Sequence, residues 1–110
     1  MKKMLLIFSI LGLANVMANA TTYTPEELKQ MVANSNYPAQ APAQKETLSM
    51  FFNDCKIASK KLISDITPYY PVEIIVNTST MYSIKAWTND AAMTITCADN
   101  KLTITTSPYI

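Results

Sequence analysis

Cys55 and Cys97 are the two cysteines of this chain, and no histidine stands anywhere to assist them. A structural metal site draws further cysteines or histidines from short local spacings. A redox pair sits in C-x-x-C, and a nucleophilic thiol needs a base beside it. None of these patterns is present, so the pair reads as a disulfide, the natural state of two cysteines in an exported chain. In the chain-entropy view, closing so long a loop stabilises by about 4 kcal/mol.

The missing residue types exclude much else. Without histidine there is no Ser-His-Asp or Cys-His site, no H-E-x-x-H zinc site and no imidazole base. The single glycine is Gly12, so from Thr21 onward the phosphate-binding glycine loops and the G-x-S-x-G elbow cannot be written. Paired carboxylates are the one remaining acid-base device, but Asp54, Asp65, Glu73, Asp90 and Asp99 are spread over helix, strand and turns. The chain is expected to be no enzyme and to take no cofactor or metal.

The opening "MKKMLLIFSILGLANVMANA" has two lysines, an apolar run and the small-residue ending Ala18-Asn19-Ala20. That is the pattern of a secretory signal peptide cleaved between Ala20 and Thr21. The apolar run is too short to span a bilayer, so the expected product is periplasmic or secreted, without stable membrane insertion. Its loss leaves seven lysines against eight acidic residues, a net charge of −1, with no arginine. Nucleic acid is therefore not an expected partner, since such surfaces are built from clustered Lys and Arg.

Residues 21–110 make one small domain, of a size at which a covalent staple matters. Thr24, Pro25 and Glu27 spell a helix start with a capping box, and Leu28, Met31 and Val32 line one side of a short helix ending near Asn34. Residues 34–46, "NSNYPAQAPAQKE", read as an extended linker; the short helix and linker together span 21–46. A disulfide-closed α+β domain is expected over 47–110. It begins with a helix from about Ser49 to Ile66, capped by Thr47 or Ser49, with Leu48, Phe51, Phe52, Cys55, Leu62 and Ile66 facing inward.

After Pro71 the pattern changes to period two and becomes rich in Val, Ile, Thr and Tyr. Four strands are expected: Val72 to Asn77, Met81 to Thr88, Ala91 to Ala98, and Lys101 to Thr106. Two-residue turns at Asn89-Asp90 and Asp99-Asn100 set Ile84 against Ile95 and Ile95 against Ile104, with Cys97 on the same face. Asn and Asp are the non-glycine residues that best tolerate the left-handed backbone of such turns. A three-residue loop, Thr78 to Thr80, sets Ile74 against Ile84 and Glu73 against Lys85. The expected fold is a four-stranded antiparallel meander with the long helix packed on one face and Cys97 beneath Cys55.

This register puts Trp87 on the other face, with Glu73, Ile75, Met81 and Lys85. An amphipathic aromatic flanked by a lysine and small residues has the composition of a protein-binding patch, and these five are the candidate partner-binding residues. The alternative is that the first helix, or Tyr37 and the linker prolines, folds over Trp87 as a second small core. The last strand is expected at the sheet edge, where a partner strand could add, and Tyr69, Tyr70 and Tyr109 could form an aromatic rim. The reading is of a periplasmic module that binds another protein, either as an inhibitor or immunity-type factor or as an accessory to an envelope machine. The alternative is a secreted effector or ligand-binding protein acting on a glycan, peptide or surface.

Overall fold

The computed structural model describes residues 21–110; the expected leader, 1–20, lies outside the described residues. The order is α1 (Pro25–Ala33), β1 (Gln44–Ser49), α2 (Phe52–Ile66), β2 (Val72–Asn77), β3 (Met81–Trp87), β4 (Ala91–Ala98) and β5 (Lys101–Pro108). The five strands form one antiparallel sheet in the order β1-β5-β4-β3-β2. The architecture is α+β, as the residue pattern implies, with one strand more than expected.

The β3, β4 and β5 register is the one the turn residues dictate. Ile84 pairs with Ile95, Tyr82 with Cys97 and Cys97 with Leu102. Asp99 and Asn100 adopt φ of 53° and 57°, the left-handed pair that a tight hairpin demands. In the other turn the Thr88 hydroxyl and N–H both donate to the Ala91 carbonyl, at 2.8 and 2.9 Å.

α2 lies across the sheet over a core of Cys55, Tyr82, Ile84, Ile95 and Cys97, with Leu62, Ile63 and Ile104 packed around it. Cys55 and Cys97, fully buried, are joined as a disulfide with their Cα atoms 5.8 Å apart. The bond is compatible with an oxidising, extracytoplasmic location.

Three expectations are corrected. The end of the supposed linker is a strand: Gln44 to Ser49 pairs with Thr106 to Lys101, so the last strand is interior and β1 is the edge. The long helix consequently starts later. Phe51 is its N-cap, without a side-chain cap bond, and Met50 N–H donates to the Asn100 carbonyl at 3.0 Å, turning the chain out of β1. Leu48 and Phe51 therefore lie outside the helix and are exposed, Phe51 at 73 %, rather than on its inward side. The third correction is in β2, where the register shifts between Ile74 and Val76. Thr78 closes the hairpin by donating its N–H to the Met81 carbonyl at 2.8 Å and accepting from Met81 N–H at 3.0 Å. That closure brings Asn77 opposite Tyr82 instead of Met81, and β2 absorbs the extra residue as a bulge.

α1 begins with the expected capping box, Thr24 and Glu27 bonding each other's backbone N–H at 2.8 and 3.1 Å. It packs on the sheet face opposite α2. Residues 39–41 run beside the C-terminal segment, Ala41 N–H donating to the Pro108 carbonyl at 2.7 Å and Ile110 N–H to that of Ala39 at 3.0 Å.

Candidate protein-binding surface

Trp87 lies on the face that the register assigns it, paired with Ala92, but that end of the face is closed. Leu28 and Val32 of α1, with Tyr23, Tyr70 and Tyr109, pack around it, and it is 2 % exposed. Tyr37 stacks on the indole at 5.4 Å between ring centroids and 19° between planes. The Lys85 ammonium stands 5.2 Å from the ring centre. The indole Nε1–H is buried without a hydrogen-bond partner. The expected exposed aromatic is thus the largest side chain of a second core, because an amphipathic α1 must bury Leu28 and finds Trp87 and Tyr109 on this side.

The aromatic rim is divided the same way. Tyr109 is buried, its ring edge-on to Tyr23 at 5.3 Å, and its hydroxyl donates to the Thr88 carbonyl at 2.7 Å. Burial, reinforced by the charge of Asp90, raises its phenol above the usual tyrosine range. Tyr70 packs into the same cluster, while Tyr69 is exposed.

Of the other four residues of the expected patch, Glu73, Ile75 and Met81 are exposed, while Lys85 is half-buried over the Trp87 ring. Glu73 opposes Lys85 as expected, and Met81 begins β3 with its side chain exposed. Ile75 is 51 % exposed. As the inserted residue of the bulge it yields its position opposite Ser83, on the Trp87 face, to Val76. Ile74, which the register assigns to the α2 side, is 58 % exposed. The helix packs over β3, β4 and β5, and β2 lies beyond it at the sheet margin.

Ile74 and Ile75 are thus adjacent exposed residues of the edge strand β2, and Met81 is exposed where β3 begins. Composition alone could not single out Ile74, because its exposure depends on where the helix axis crosses the sheet. At the opposite margin, β1 is exposed along its whole length. A shallow groove beside it is lined by Glu46, Thr47, Leu48, Leu102 and Ile104. Among the described residues no group of three or more His, Cys, Asp or Glu could hold a metal ion, and no helix is long and apolar enough to cross a membrane. The chain matches no protein-family model, no curated protein and no solved structure.

Proposed function

We propose that this protein is an exported, non-enzymatic module that binds another protein along the β2 margin. One observation carries the reading: an edge strand presents two adjacent isoleucines, each more than half exposed. Adjacent exposed apolar side chains at a sheet margin, next in the strand to the charged Glu73, have the composition of an interface. The bulge bends the strand and interrupts its outer hydrogen-bonding edge, so contact is made through side chains more than through an added strand. The disulfide supports passage through an oxidising compartment, where such a module would act as an inhibitor or accessory factor of an exported or envelope protein.

The test is paired affinity capture from an envelope extract of the source cell, using mature protein and an Ile74→Asp/Ile75→Asp variant. Both residues are solvent-exposed, so the variant should fold with a midpoint close to that of the parent. A protein held by the parent and lost by the variant is the expected outcome. Equal retention by both would refute the β2 margin as the site. Fractionation places the action: retention in the periplasm fits the inhibitor or accessory role, and accumulation in the medium argues for action outside the cell.

A further inference from the structure

We infer that two copies of this chain join through β1 about a two-fold axis, making one continuous sheet. The two margins of the sheet differ in kind. β2 is bulged, whereas β1 pairs with β5 from Gln44 to Ser49 without a register shift, and every residue of it is exposed. Its outer side is a straight row of backbone donors and acceptors, the feature that recruits another strand.

The sequence of β1 selects both partner and register. A two-fold axis perpendicular to a sheet pairs residues that lie on the same face, so one residue must meet its own copy. Centring on Lys45 or Glu46 sets like charges directly opposite each other, which is unfavourable. Centring on Leu48 leaves few pairs inside the strand, because the chain turns away at Met50 toward Asn100. Centring on Thr47 keeps Lys45 to Ser49 paired. Thr47 meets Thr47, Glu46 meets Leu48, and Lys45 meets Ser49, with no like charges opposed. The row Ser83, Thr96, Thr103 and Thr47, which crosses β3, β4, β5 and β1, then continues through the axis into the second copy.

The other face is compatible with the same symmetry. The shallow groove along β1, lined by Glu46, Thr47, Leu48, Leu102 and Ile104, borders the proposed junction, and this symmetry places its two copies on the same face, one on each side of the axis. Both α2 helices remain on one side of the joined sheet.

Sedimentation of the oxidised mature protein over a range of concentrations, together with single cysteine substitutions, tests this. Residues meeting across such an axis have Cα atoms about 4.5–5.5 Å apart, within the 4.4–6.8 Å range that a disulfide spans. Thr47→Cys should therefore form a covalent dimer under mild oxidation. Lys45→Cys and Ser49→Cys should cross-link well when mixed and poorly alone. Thr47→Lys should return the concentration-dependent dimer to monomer. A parent monomeric at every concentration, with Thr47→Cys linking no faster than Lys45→Cys, would overturn the inference. So would a dimer abolished by Ile75→Asp and untouched by Thr47→Lys.

Discussion

Trp87 shows how a single side chain can be placed on the right face yet have its surroundings misjudged. Its face follows from counting residues through two turns, but its burial depends on what folds over it from distant parts of the chain, α1 and Tyr37 above all. Replacing it by alanine should cost about 3–5 kcal/mol, as expected for a large aromatic removed from a packed site. Denaturant melts would show this, and the native protein should emit at short wavelength, shifting to the red on unfolding. A long-wavelength native emission with a near-neutral alanine variant would restore the exposed reading. Tyr109 makes a second prediction at this scale. Its phenol keeps its proton in the fold at pH values where the unfolded chain, titrating near about 10, has lost it. The unfolded state then binds fewer protons, so stability should fall as pH rises through and beyond that value, with no contribution below it. Comparing Tyr109→Phe with the parent isolates the effect. The variant should lose about 0.5–1.5 kcal/mol at neutral pH with its hydrogen bond to Thr88, and should show a shallower alkaline decline.

Among the elements, those governed by local chemistry were legible and those governed by tertiary partners were not. The capping box at Thr24, the Asp99-Asn100 turn and the alternation of β3 to β5 each declare themselves within a few residues. So does the placement of Cys55 and Cys97 on facing surfaces. Replacing both cysteines by serine should lower stability by roughly 2–5 kcal/mol without changing the fold, measurable by parallel thermal and denaturant melts. A loss of cooperative unfolding would mean that the loop constraint is needed to define the sheet. β1 escaped notice because "QKETLS" has neither the alternation nor the β-branched content of a strand. It is held by pairing with β5, a non-local cause that no window of sequence contains. Once those residues are a strand, Leu48 and Phe51 cannot belong to the helix. The bulge in β2 was hidden for a related reason: the Thr78 side chain, rather than the strand, sets how the hairpin closes.

For the whole molecule, two cores on opposite faces of one sheet leave its margins as the places for association. α2 and the disulfide close one face, and α1 with the tyrosines closes the Trp87 end of the other. Exposed apolar side chains remain at the sheet margins, Ile74 and Ile75 on β2 and Leu48 on β1. The residue pattern put Glu73, Met81, Lys85 and Trp87 on one face, while the burial of Trp87, the bulge at Ile75 and the exposure of Ile74 needed the packed structure. The most direct test of a working β2 margin is amide hydrogen exchange on the mature protein, alone and bound to the protein it captures. Protection gained over residues 72–81, with residues 24–37 unchanged and the Trp87 emission unmoved, is the result expected. Exchange that instead accelerates over residues 24–37, with Trp87 emission shifting as the partner binds, would show that the closed face opens to receive it and would contradict the account.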